Sequence, residues 1–188
     1  MRLSFVLLAV IALLPLPIRA SDVDPDVLVT LACKMLNGGD FDSEVRSIAA
    51  FNGATVSERM KTYQRRNGEE TSKRRTWKTR DGVEVEWTTD TKTSGHIFAH
   101  DLTLRADEPE KALIFRSKND MLQWLGRYGS VKHDADVDEY RVAVVTFRYR
   151  QHDIPSAEMQ SEFSESRQDL TINWLTSDAD KVRARLCR

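Results

Sequence analysis

The chain has little cysteine, two residues in 188. Neither forms a Cys-x-x-Cys pair, so nothing suggests disulfide-exchange chemistry. It has no excess of charge of one sign. With 28 basic and 29 acidic residues the formal net charge is −1, which gives no reason to expect a nucleic-acid or membrane-surface partner. After the first residues it has no long apolar run, and the one at Phe5 to Leu14 falls short of the roughly 20 residues that a membrane span needs. It also lacks a Gly-x-Ser-x-Gly elbow, a phosphate-binding glycine loop and a His-Glu-x-x-His motif. No cofactor motif, internal repeat or low-complexity tract stands out.

What is present begins with an export pattern. Met1-Arg2 supplies positive charge, Phe5 to Leu14 an apolar core, Pro15 and Pro17 a break, and Ile18-Arg19-Ala20 a small-residue end. That layout predicts a secretory signal over residues 1–20. No cysteine follows Ala20 to take a lipid. Residues 21–188 are then a single exported domain, periplasmic or secreted, with a net charge of about −3 once Arg2 and Arg19 are removed. An even cysteine count in an exported chain favours a Cys33–Cys187 disulfide. Such a bridge closes nearly the whole domain, for which chain-entropy models give about 4–5 kcal/mol.

The first helix is legible from Asp24 and Pro25 to Asn37-Gly38-Gly39, with Leu28, Leu31, Ala32 and Met35 at helical spacing. Ser43 to Phe51 suits a short helix. Thr55 to Arg66 suits a helix by composition. Asn67-Gly68 fits either a helix stop or a hairpin turn, and the hairpin is the expectation. The clearest local feature is Thr79-Arg80-Asp81-Gly82, a type I turn with a left-handed glycine. It predicts a hairpin pairing Trp77 with Val85, Arg75 with Trp87, Lys78 with Glu84 and Thr76 with Glu86. The tryptophans and valines then share one face and the charges the other, a separation that a one-residue slip would invert.

Further strands are expected over Gly95–Arg105, Ala112–Phe115, Tyr140–Arg150 and Leu170–Leu175, with the Tyr140 strand central. Ser117 and Asp120 predict a capped helix carrying Met121, Trp124 and Leu125, ending at Gly129. Asp178 to Leu186 suits a short helix, and residues 153–169 read as a polar loop or short helix. The sum is an α+β domain: an antiparallel sheet of five or six strands with two helices on one face.

Chemistry-bearing residues are sparse. His96 and His100, on one predicted strand, would lie about 13 Å apart along it. With His152 and Asp153 they form a weak candidate metal or acid/base cluster. The run Asp134, Asp136, Asp138 and Glu139 lacks the glycine and distal glutamate of a calcium loop, so it reads as a solvated acidic loop. A denser feature is the basic stretch from Lys61 to Arg80. Within it Arg65, Arg66, Arg74 and Lys78 are the candidate partner-binding residues, with Glu84 and Glu86 opposing part of the charge. Arg75 is an oddity, a cation on the tryptophan face and a candidate to stack on an indole.

These features favour a non-enzymatic exported binding protein, an accessory, inhibitor or immunity-type molecule acting on another envelope or secreted protein. A partner protein is expected first and an anionic ligand second, with no nucleic acid and no stable membrane span. Two alternatives stand beside it. One is a carrier of a small ligand or lipid in a cavity near Trp77, Trp87 and Phe98. The other is a hydrolase using the histidines.

Overall fold

In the computed structural model the described residues are 21–188, apart from 67, 109, 138–139, 150–154 and 165. The signal reading at 1–20, and His152 and Asp153, lie outside them. A leading strand β1 (Ser21–Asp22) is followed by helices α1 (Asp26–Leu36) and α2 (Phe41–Arg46) and a 3-10 turn at Ala49–Phe51. Strands β2 (Thr55–Arg65), β3 (Gly68–Lys78), β4 (Val83–Lys92) and β5 (Ile97–Ala106) come next, then β6 (Ala112–Leu113) and helix α3 (Lys118–Gly126). The chain ends with β7 (Lys132–Val137), β8 (Tyr140–Tyr149), β9 (Pro155–Phe163), β10 (Gln168–Leu175) and helix α4 (Ala179–Leu186).

Among the described residues the main sheet is antiparallel and has eight strands, in the order β2-β3-β4-β5-β10-β9-β8-β7, while β1 and β6 form a small parallel pair. The α+β class and the antiparallel sheet agree with the sequence reading, but the sheet is larger than five or six strands. The additional strands are β7 and β9. In β9 only Ala157, Met159 and Phe163 are apolar at alternate positions, with Ser161 between them, so the period-two signal is carried by few residues in a polar stretch. β7 takes in Asp134 and Asp136 of the acidic run, whose composition predicts a loop, and β6 is split off into the small pair. β8, expected at the centre, lies next to the outermost strand, and the centre is β5 beside β10. Each half of the sheet is a four-stranded meander preceded by a helix, so the topology repeats although the sequence shows no repeat.

The turn at Thr79 behaves as its chemistry predicts. Gly82 has φ of 81°, a left-handed value suited to glycine, and the Thr79 amide donates to the Val83 carbonyl at 2.8 Å. The β3–β4 register pairs Trp77 with Val85, Arg75 with Trp87 and Lys78 with Glu84. That register places Trp77, Val85, Leu102, Leu104, Leu170, Ile172 and Met159 on one face, all buried in one core. Helix α1 packs against β5 and β10, α3 against β8 and β9, and α4 against β8, β10 and α1. The Cys33–Cys187 disulfide joins α1 to the end of α4, with Cα atoms 5.5 Å apart. Gly129, just beyond α3, lies against β8, where an added Cβ would stand 2.8 Å from a Val145 methyl.

Two carboxylates in first helical turns fasten the helices. Asp42 in α2 accepts from the Trp77 indole at 2.7 Å and from Arg75 Nη2 at 2.7 Å. Asp26 in α1 accepts from the Trp124 indole at 2.8 Å and from Arg127 at 2.6 Å. Arg75 therefore sits on the tryptophan face as the partner of α2, while the cation over the Trp77 ring is Arg46. Buried Gln168 opens β10 and binds the chain entering α3: its side-chain oxygen accepts from the Ile114 and Phe115 amides, and its NH2 donates to the Phe115 carbonyl.

Candidate functional site

The face of the sheet away from the helices is polar. Alternation puts Arg59, Lys61, Tyr63 and Arg65 of β2 on it, with Arg74, Thr76 and Lys78 of β3 and Glu84 and Glu86 of β4 beside them. Near the β2 edge these side chains line a trough of roughly 320 Å³, which contains Arg59, Arg74, Lys78, Glu84, Glu86 and Arg105. The cations of this face fall into two groups. Arg74 meets Glu86 at 3.2 Å, Lys78 meets Glu84 at 2.5 Å, and Arg105 meets Asp169 at 3.1 Å. Lys78 is held above the usual lysine range first by its hydrogen bond to Glu84, against the effect of burial. Arg65 meets Glu70 at 3.3 Å and lies over the Tyr63 ring. Arg66 is exposed in the turn after β2.

Arg59 and Lys61 differ. Both are exposed, and neither has an ion-pair partner among the described residues. The register sets Arg59 directly opposite Arg74, a like-charge pair that costs stability in an antiparallel ladder. Arg74 is drawn to Glu86, which leaves Arg59 uncompensated. The basic run points to Arg65, Arg66, Arg74 and Lys78; it includes Lys61 without singling it out, and Arg59 lies outside it. The signal for them was the alternation itself, legible once 55–65 is read as a strand.

Toward the centre of the same face the charge reverses. Asp101 of β5 stands opposite Thr88 and Asn173 and accepts from the Thr103 hydroxyl at 3.0 Å. Burial, reinforced by Glu86 and Asp90, pushes its carboxyl above the usual range, against the lowering effect of the Thr103 bond. Among the described residues the wet face thus runs from exposed cations without ion-pair partners at its β2 edge to half-buried acids at its middle.

The histidine candidates are placed as follows. His96 is exposed in the turn before β5. His100 lies on the helical face, its ring 5.2 Å from Trp174 and 5.4 Å from Trp87, with Nε2 3.2 Å from the Thr176 hydroxyl. Burial lowers its pKa, which favours a neutral imidazole. No group of three or more metal-ligating side chains assembles among the described residues. Trp77, Trp124 and Trp174 are buried. Trp87 borders a groove of roughly 340 Å³ with Met35, Phe41, Asp42, Arg75 and Ile97, which takes in neither Trp77 nor Phe98. No described helix is long and apolar enough to cross a membrane. No family model, curated protein or solved structure matches the chain.

Proposed function

We propose that this chain is an exported, non-enzymatic binding protein whose polar sheet face docks an acidic region of another envelope or secreted protein at the β2–β3 edge. The observation that carries the reading is the pair Arg59 and Lys61, exposed and without an ion-pair partner among the described residues, with Arg59 held opposite Arg74. A fold that keeps opposed cations on one rung retains a local cost that an acidic partner relieves. Arg65, Arg66, Arg74 and Lys78 extend the same positive rim, weakened where Glu70, Glu86 and Glu84 already meet them. Support for export comes from the signal pattern at 1–20 and from the disulfide, a bond that persists in oxidising compartments.

The test is capture from the envelope and secreted fractions of the source cell, using the mature protein as bait. Reversal of Arg59 and Lys61 to glutamate lowers recovery of the captured protein strongly. Reversal of Arg74 and Lys78 lowers it less, because carboxylates already neutralise them. Equal recovery by the wild type and both charge-reversed baits contradicts the reading.

A further inference from the structure

The outer side of β2 is an open sheet edge. β2 ends the strand order, so among the described residues one side of its backbone has no sheet partner while the other is bonded to β3 from Thr55–Lys78 to Arg65–Gly68. Its 11 residues are all exposed, in a strand about twice the usual length of roughly 5–6 residues. It contains no proline and no glycine to interrupt a further strand. Such an edge is a template for strand addition unless something covers or repels the newcomer.

The side chains of β2 decide between newcomers. A second copy of this chain is repelled. Antiparallel pairing of two β2 strands about a two-fold axis at residue 59 sets Arg59 against Arg59. An axis at 60 sets Arg59 against Lys61, and an axis at 61 sets Lys61 against Lys61. Like charges directly opposite are destabilising in each case. An acidic strand is favoured by the same positions. On the opposite face of β2 the exposed residues include Val56 and Met60, which are 40% and 62% exposed. The Glu58 carboxylate between them is already engaged by Lys73 at 3.2 Å and Arg75 at 3.3 Å.

We infer that β2 accepts, as an added antiparallel strand, an extended segment of a partner protein in which acidic residues alternate with apolar ones. The acids lie against Arg59 and Lys61 on the polar face, the apolar residues against Val56 and Met60 on the other, and main-chain hydrogen bonds run between. This rests on the acidic-partner reading and adds to it a requirement for backbone pairing.

The probe is a terminally blocked, dye-labelled ten-residue peptide of alternating glutamate and valine, titrated into the mature protein at neutral pH and followed by anisotropy. Two companions are the lysine–valine peptide of the same alternation and the glutamate–valine peptide with alternate backbone nitrogens methylated. The glutamate–valine peptide binds, and the other two bind at least tenfold more weakly. Arg59→Glu with Lys61→Glu, and the milder Arg59→Gln with Lys61→Gln, both weaken it, with far-UV circular dichroism confirming the fold of each variant. Undiminished binding of the methylated peptide overturns strand addition while leaving acidic recognition standing. Equal binding of the lysine–valine peptide, or no binding of the glutamate–valine peptide, overturns the inference.

Discussion

β10 and β2 belong to one sheet and are both paired in regular register, yet they lie at opposite extremes of burial. β10 alternates buried and half-buried positions through all eight residues, with Leu170 and Ile172 fully enclosed. β2 is longer and has no buried residue at all. The fold's stability is concentrated in the first and nearly absent from the second. Hydrogen bonds to β3 set the register of β2, and each contributes only about 1 kcal/mol net. The comparison separates a strand that holds the molecule together from one that the molecule merely displays.

The largest expected effect breaks the comparison from the buried side. Ile172→Ala, in the middle of β10, lowers the unfolding free energy by about 2–5 kcal/mol. Met60→Ala at the middle of β2 changes it by no more than about 0.5 kcal/mol. Urea titration of the two variants against the wild type checks the contrast, and similar losses would dissolve it. Gln168→Ala follows. It strands two amides and a carbonyl of the segment entering α3, at roughly 2–4 kcal/mol, measured the same way.

Burial also explains what was legible in the sequence. The β3–β4 hairpin was readable to the residue because Trp77, Val83 and Val85 are buried on one side while Lys78 and Glu84 pair on the other, so turn chemistry and alternation agree. Helix α1 and the Cys33–Cys187 bridge are readable for similar reasons: Asp24, which accepts from the Asp26 amide, an apolar stripe and a left-handed Gly38 mark the one, and an even cysteine count the other. β2 was ambiguous between helix and strand because an all-exposed strand has no apolar alternation to leave in its sequence. β9 was missed because its inward positions include Ala157 and Ser161, small or polar residues that read as loop. Site residues followed the same rule. Counting cations locates the basic region, but deciding which are neutralised needs the register that sets Arg74 near Glu86 and leaves Arg59 without an ion-pair partner among the described residues. The roles of Asp42 and Asp26 as paired anchors were hidden because their partners lie far away along the chain.

A smaller effect sharpens the boundary between the held and displayed parts. Asp42 ties α2 to β3, and its carboxyl is held below the ordinary value of 3.8 first by the hydrogen bonds from Arg75, against burial and with help from Trp77. Its contribution is therefore present above that value and is lost as the pH falls through the depressed folded-state pKa. Asp42→Ala costs about 1–3 kcal/mol at neutral pH. Denaturation at pH 7 and at progressively lower pH should show the gap between wild type and variant narrowing in the acid range. A constant gap would mean that packing, not the charge, is what Asp42 supplies.

The smallest expected effect lies on the displayed side. Arg59→Gln with Lys61→Gln leaves stability within about 0.5 kcal/mol of the wild type, with any change toward greater stability, because it relieves the Arg59–Arg74 opposition. Thermal melts at low and moderate salt check this. A clear destabilisation would show that these cations support the fold and are not held for a partner.

The contrast between a strand that holds the fold and one open to a partner can be read by backbone amide exchange, strand by strand, with and without the glutamate–valine peptide. β10 amides should exchange only through global unfolding and β2 amides through far cheaper local opening, and saturating peptide should slow exchange in β2 while leaving β10 unchanged. β2 amides as slow as those of β10 in the free protein, or β2 exchange unaffected by saturating peptide, would contradict that contrast.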